Sequence, residues 1–419
     1  LSTHSSSGGH AMIFLLGSGF VTLSLFIMNW LGVPVSLLSL ALSVTIFASL
    51  YLLYKRFVPK DPVRQKEAWS KVDYFFLTII ILLLLVVMIN GLWGVVSTWD
   101  ALTLYDFRAL RIVETGSIAQ SAQIQGNYFY AYPLFTSLAH VSLYLLGLTS
   151  PMIFYALLFT SFVFAFYQLL HRTLSRAWAL FGSLLVIIAP HLFWHAQIAY
   201  TNLPYTIYLG LGAVYILEYA RTGNRRDALF GAILTGLSTW VRSVEPFWLI
   251  NIFTLLLITL SKQKFFDFLL SLVLFIPLER VWKVYVAMAH NVVAPTALGQ
   301  VTNAVKTVAT AVTNTTVSTS ISKPIYPVIT YFFANAVRPF VPVLALFALG
   351  IFFKVIHKSR AWLGEFMVFS YYCVAFYGTY IFSISQSYWD DIPGSLERMM
   401  MFISPIIIYN FLIYYTKKS

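Results

Sequence analysis

Apolar runs of about 17 to 25 residues recur along the whole chain, and this recurrence limits what it can fold into more than any other feature. An α-helix rises 1.5 Å per residue, so each run has roughly the length needed to cross about 30 Å of hydrocarbon. Only 10% of the 419 residues are charged and 59% are hydrophobic, with a mean hydropathy of +0.79, which excludes a water-soluble fold. Short segments of period-two alternation are lacking, so helices and not a β-barrel must satisfy the backbone inside the bilayer. The expected fold class is an all-α polytopic membrane protein.

Spans are expected at about residues 12–32, 35–54, 73–96, 150–171, 176–193, 204–221, 227–243, 246–261, 265–285, 337–356, 363–385 and 399–416. The apolar stretch 131–148 is long enough to be a thirteenth. Counting it would carry HRTLSR, RTGNRR and SKQK across the membrane from the densest basic stretch, Lys55, Arg56, Lys60, Arg64, Lys66 and Lys71. Laid along the outer interface, 131–148 leaves every short basic loop cytoplasmic, with 18 Lys plus Arg inside against 9 outside. That asymmetry is what the positive-inside rule describes, and it puts both termini in the cytoplasm. The chain then divides into a polar tail or cloning remnant (1–10), two N-terminal helices with a basic loop (11–72) and a transmembrane module (73–285) holding an outer loop (97–149). A second outer loop (286–336) and C-terminal helices (337–419) complete it. The first ten residues lack the basic start of a signal peptide. Cys373 is the lone cysteine, so no disulfide framework or cysteine-based metal site is expected.

Three outer segments, 97–149, 286–336 and 386–398, are too long to be plain turns, and chemistry is expected there. The middle one carries AVKTVATAVTNTTVSTSISKP, nearly without charge. The first opens with STWDALTLYDFRALRIVETGSI, where Asp100 follows a span and is placed to cap a helix ending near Gly116. At 100° per residue, Leu104, Phe107 and Arg111 share its face, Arg108 lies to one side and Asp106 points away, so Asp100 and Asp106 are not expected to form a dyad. A carboxylate at the membrane edge can take a proton or orient a hydroxyl; a plain helix cap is the other reading.

PHLFWHAQIAYTNLPYTIY brings His191, His195, Tyr200 and Asn202 to the outer interface. The spacing of the two histidines would allow a shared metal on a helix, but no HExxH pattern accompanies it and no metal is expected. WVRSVEPFW places Arg242 and Glu245 at an outer turn, as an ion pair or as a substrate contact. Arg280 and Lys283 follow Glu279 near another outer end, Arg338 begins the tenth span and Arg398 the twelfth. Cations gathered at one depth suit lipid phosphates, whether those of the bilayer or of a substrate, because guanidinium pairs bidentately with phosphate oxygens.

In order along the chain, these segments resemble the GT-C superfamily of membrane glycosyltransferases that use polyprenyl-phosphate-linked sugars, such as protein O-mannosyltransferases and aminoarabinose transferases. Asp100, Ala109 and Gly116 fit the family's first outer loop. AYPLFTSLAHVSLYLLG matches its YPL stretch leading into an interfacial helix, and AYTNLP its YADLP-like loop. WVRSVEP loosely matches a TKNEG-like turn, and ERMMMFISP, with Arg398 and Pro405, a late R-Y-x-x-P-x-x-P element. The likeness covers roughly 97–250 and 396–408. Asn202 stands where the family usually has an acid, Ala101 where a second acid often follows the first, and two extra spans precede the usual first one.

The resemblance implies an enzyme moving a sugar from a polyprenyl-phosphate donor to an acceptor at the non-cytoplasmic face, with inversion and without a cofactor. It implies Asp100 as general base, with Asp106 and Glu245 as second choices. Arg242, Arg338, Arg398, Arg280 and Lys283 would bind phosphate, and Arg108, Arg111, Tyr132, His195, Tyr200 and Asn202 would position substrate. Partners other than the donor and membrane lipids are open, and nothing points to nucleic acid. A non-catalytic scaffold in a membrane complex and a transporter are the alternatives, the latter disfavoured because charges gather at span ends and few lie mid-span.

Overall fold

The computed structural model describes residues 10–57, 67–119, 130, 132–290, 325–356, 362–385 and 395–416. The Thr/Ser-rich stretch of 286–336, most of 386–398 and much of the basic loop between the second and third expected spans lie outside them. The described residues are helical throughout, with no strand among them. Five helices are long and apolar enough to cross a membrane: Met12–Trp30, Lys71–Trp93, Met152–His171, Tyr326–Val355 and Leu363–Ser383. Shorter apolar helices stand at Leu37–Leu53, Phe135–Leu145, Arg176–Ile187, Trp248–Ser261 and Ile403–Ile413. The protein is therefore a helical membrane protein.

The chain forms two compact units, one running to Ile188 and resuming over Leu192–Ile207, the other comprising Ala189–His191 and everything from Tyr208. This division cuts across the sequence-based boundaries at 72 and 285.

In the first unit, α1 (His10–Trp30) packs on α2 (Leu37–Phe57), α5 (Phe135–Leu145) and α6 (Met152–His171). The third helix, α3 (Lys71–Trp93), packs on α6 and α7 (Arg176–Ile187). Gly91 allows that approach, since a Cβ there would stand 2.8 Å from the Ala156 Cβ. A π-helical segment, Ala101–Asp106, runs into α4 (Phe107–Thr115), which lies against α5. Gly116 ends α4 at φ 65°, a left-handed stop that glycine takes without Cβ strain. Asn29 of α1 fastens this stop: its Nδ2 donates to Gly116 O at 2.8 Å and its Oδ1 accepts from Ile118 N at 2.9 Å. Helix α1 thus braces the end of the segment that carries Asp100 and Asp106.

Two expected boundaries shift here. The run 176–193 is not one helix: α7 stops at Ile187 and a single turn, α8 (Leu192–His195), follows. Pro190 has no N–H to donate and His191 turns to φ 65°, so the helix cannot continue through them. At twelve residues α7 is about 18 Å long, shorter than the run 176–193 expected as a span. Helix α5, at eleven residues and about 16 Å, is too short to span.

In the second unit, the stem of α9 (Asn202–Thr222) from Tyr208 onward crosses α10 (Arg225–Val241) closely enough that a Cβ on Gly212 would lie 2.6 Å from Thr235 Oγ1. Helix α10 packs on α11 (Trp248–Ser261) and on α12 (Phe265–His290), and α11 on α15 (Leu363–Ser385). Asn251 ties four of these helices, donating to Leu209 O (3.3 Å) and Thr235 Oγ1 (3.0 Å) and accepting from the Tyr371 hydroxyl. Side-chain amides commonly hold helices together in this way where no water competes. The helix α13 (Ile325–Phe332) continues through a π segment, Phe333–Val337, and a 3-10 turn, Arg338–Phe340, into α14 (Val341–Ile356). Thus 325–336, expected as loop, is helical. The expected last span is broken into α16 (Ser395–Met400) and α17 (Ile403–Thr416), and α16 packs on the π segment Phe333–Val337.

Basic residues at the ends of several expected cytoplasmic loops are paired. Arg221 meets Glu218 at 2.5 Å, Arg225 meets Asp267 at 2.5 Å, and Arg176 stacks 4.2 Å over the Trp69 ring while its Nη2 donates to Glu67 O. These charges hold helix ends.

Candidate functional site

In the first unit the π segment and α4 split the two acids between opposite environments. Asp100 is exposed. It does not cap the helix as expected: its φ and ψ of −61° and −34° are already helical, its side chain makes no capping bond, and the turn begins earlier, with Leu102 N donating to Thr98 O. Asp106 is buried, and its Oδ1 accepts the Tyr144 hydroxyl at 2.5 Å and faces His140 Nδ1 at 3.0 Å. The second His140 nitrogen, Nε2, lies 2.8 Å from the Tyr155 hydroxyl. Burial lowers the pKa of His140, against the pull of Asp106. A neutral ring that donates from Nδ1 to the carboxylate and accepts at Nε2 from Tyr155 satisfies both ring nitrogens. Tyr144 lies outside the spans, and burial, then Asp106, raises its pKa, so it stays a donor. The two acids form no dyad, in keeping with the helical projection.

Arg108 is enclosed: its Nη1 donates to Tyr132 O at 3.2 Å, and burial lowers its pKa to about 10. Tyr132 lies edge-on to Tyr105, whose hydroxyl is 3.1 Å from Thr201 Oγ1. This contact joins the first loop to the AYTNLP turn, beside half-buried Tyr200 and buried Asn202. His195 is buried with its ring 6.1 Å from Tyr200. Arg111 lies apart from this cluster's hydrogen bonds, paired with Glu114 at 2.5 Å. So Asp106, Arg108 and Tyr132 share one cluster, and the turn holding Tyr200 and Asn202 is tied to it through Thr201. Sequence reasoning missed His140, Tyr144 and Tyr155. The spacing of His140 and Tyr144, four apart on a helix without charged residues, was the available signal.

The cations of the second unit fall into two groups. Arg242 is paired with Glu245, and Lys283 with Glu279, which also meets Arg280 at 3.0 Å. Glu245 is buried with Oε2 unpartnered, as are Ser243 Oγ and Trp248 Nε1 on the same turn. A cation already neutralised by a carboxylate gives less to a phosphate. Arg338 is exposed, and Arg398 is half-buried on α16. The packing of α16 on the π segment that ends one residue before Arg338 brings their elements together. Among the described residues no three His, Cys, Asp or Glu side chains group as a metal would need.

No family model, curated protein or solved structure matches this chain.

Proposed function

We propose that this chain is a membrane glycosyltransferase that moves a sugar from a polyprenyl-phosphate donor to an acceptor hydroxyl at the non-cytoplasmic face, within a twelve-span topology with both termini cytoplasmic. The observation that carries it is the division of labour between the two acids. Asp106 is buried and consumed by hydrogen bonds, so it anchors the segment. Asp100, six residues earlier, is presented in the open on a segment braced by Asn29 and by the Asp106 cluster.

A general base must be reachable by the proton it takes, which favours Asp100 over Asp106. In the reaction, the acceptor oxygen attacks C1 of the sugar as its proton passes to the Asp100 carboxylate. The C1–O bond to the lipid phosphate breaks, and its electron pair leaves with the phosphate. A single displacement inverts C1. The cations that this reading assigns to phosphate are Arg338, which is exposed, and Arg398, whose helix α16 packs on the segment leading to Arg338; Arg242, Arg280 and Lys283 face carboxylates. Guanidinium groups of this kind pair bidentately with phosphate oxygens. In this reading Tyr132, Tyr200 and Asn202 position sugar or acceptor, and Glu245 holds Arg242.

Incubation of the purified protein with a panel of polyprenyl-phosphate sugars tests this reading. Release of free polyprenyl phosphate together with a glycosylated product supports it. A transporter would instead move label across sealed vesicles without breaking the glycosyl bond, and a scaffold would do neither.

A further inference from the structure

Lys262 and Lys264 differ from the paired cations of the second unit, because no carboxylate answers them. They flank Gln263, whose left-handed φ of 55° turns the chain between α11 and α12. Facing this turn is Gly223, itself at φ 69° between α9 and α10. The Lys264 Nζ donates to Gly223 O at 2.9 Å. A Cβ on Gly223 would stand 3.3 Å from that Nζ and 3.9 Å from the Lys262 Nζ, so the two ammonium groups converge on one point.

The acids of this corner are occupied inside the fold. Buried Asp267 holds Arg225 and the Tyr219 hydroxyl, and buried Glu218 holds Arg221 and the Tyr409 hydroxyl. Asp227 is buried against Thr222 Oγ1 at 3.2 Å. Among the described residues neither lysine forms an ion pair, and Lys264 gives only one of its three N–H groups to Gly223. Two like charges this close repel unless an anion lies between them. The expected topology puts them at the cytoplasmic headgroup layer, where anionic lipids gather.

An apolar track begins beside them. Phe266, Leu269, Val273 and Ile276 recur along α12 at spacings of three and four, and they are 64%, 45%, 65% and 47% exposed although the helix packs on α10 and α11. At 1.5 Å per residue the track rises about 15 Å, the depth of one leaflet of a hydrocarbon core about 30 Å thick.

We propose that Lys262 and Lys264 together hold the phosphate of an anionic phospholipid in the cytoplasmic leaflet, with its acyl chains along Phe266, Leu269, Val273 and Ile276. A phosphate diester accepts from both ammonium groups at once and relieves their repulsion. The apolar track starting at the lysines favours a lipid over a free phosphate. This site is independent of the glycosyltransferase reading, whose donor meets the opposite face.

The test titrates the full chain in a nonionic detergent with a short-chain phosphatidylglycerol, the matching phosphatidylcholine and inorganic phosphate. It compares the natural sequence with Lys262→Gln, Lys262→Gln/Lys264→Gln, Lys262→Arg/Lys264→Arg and, as a charge control at the start of α3, Lys71→Gln. Phosphatidylglycerol is expected to bind the natural sequence more tightly than either other probe. Losing a hydrogen bond to a charged group weakens binding by about tenfold or more, so Lys262→Gln should show that loss and the double Gln variant a larger one. The Arg variant and Lys71→Gln should stay close to the natural affinity. Lys262 makes no side-chain hydrogen bond among the described residues, so Lys262→Gln should keep the natural melting temperature. Unchanged affinity in the double Gln variant overturns the proposal, as does an equal loss in Lys71→Gln. Phosphatidylcholine or inorganic phosphate bound as tightly as phosphatidylglycerol overturns the anionic lipid as occupant. Absence of phosphatidylglycerol binding to the natural sequence overturns the site.

Discussion

Tyr144 and His140, one helical turn apart on α5, converge on the same oxygen of Asp106, at 2.5 Å and 3.0 Å. One buried carboxylate oxygen thereby fixes the segment bearing Asp100 against a helix too short to cross the bilayer. Asp106→Asn keeps the shape but loses the charge on one side of both bonds, and buried hydrogen bonds to charged groups contribute about 1.5–3 kcal/mol. A melting temperature well below that of the natural sequence is expected, measured by thermal unfolding in detergent. An unchanged value would mean that the cluster does not hold the segment.

The same cluster makes stability depend on pH. His140 has a folded pKa below its ordinary 6.5, chiefly because it is buried. Below about pH 6.5 the unfolded chain takes up a proton that the folded chain resists. Stability is therefore complete above that pH and falls as pH drops toward the lowered folded value. Melting curves between pH 8 and pH 5, taken as round limits about the ordinary value, should show this decline. His140→Gln should flatten it. A decline of equal slope in the variant would assign it to other groups.

Close helix crossing in the second unit depends on Gly212. Its missing Cβ leaves room for Thr235 Oγ1, at 2.6 Å, and for Gly231 O, at 3.2 Å. Gly212→Val overfills this crossing and is expected to destabilise the protein by about 1–3 kcal/mol. Gly378 has nothing within 4 Å of its would-be Cβ, so Gly378→Ala should leave stability nearly unchanged. Equal losses from the two substitutions would speak against the crossing as the cause.

Topology can be read by labelling. With Cys373 replaced by serine, a single cysteine at position 173, in the turn between α6 and α7, should resist a membrane-impermeant reagent applied to intact cells. Labelling from outside would mean that 131–148 crosses and that the twelve-span topology is wrong.

The helical membrane class was legible from run length alone, because nothing but intrahelical bonding satisfies a backbone in lipid. Where the runs end was harder to read. Hydropathy carries 176–193 as one apolar stretch, whereas Pro190 and the left-handed His191 divide it. The expected helix after Asp100 exists, but its π-helical start and earlier first turn depend on packing that a fixed 100° projection does not contain. Arg242 with Glu245 was readable as an i, i+3 pair. Asp106 with His140 was not, since the two lie 34 positions apart and only the meeting of the π segment with α5 joins them. The pairing of His191 Nε2 with the Glu397 carboxylate, farther apart still, was invisible for the same reason.

The central claim is that Asp100 is the base. Its most direct test is turnover of a polyprenyl-phosphate sugar at saturating donor by Asp100→Asn, measured beside donor affinity. A positioned base contributes about 10² to 10⁴ in rate. The expected result is donor affinity close to that of the natural sequence with turnover at least about a hundredfold lower. Unchanged turnover in Asp100→Asn would contradict the claim, and a matching loss in Asp106→Asn with its fold intact would move the base to Asp106.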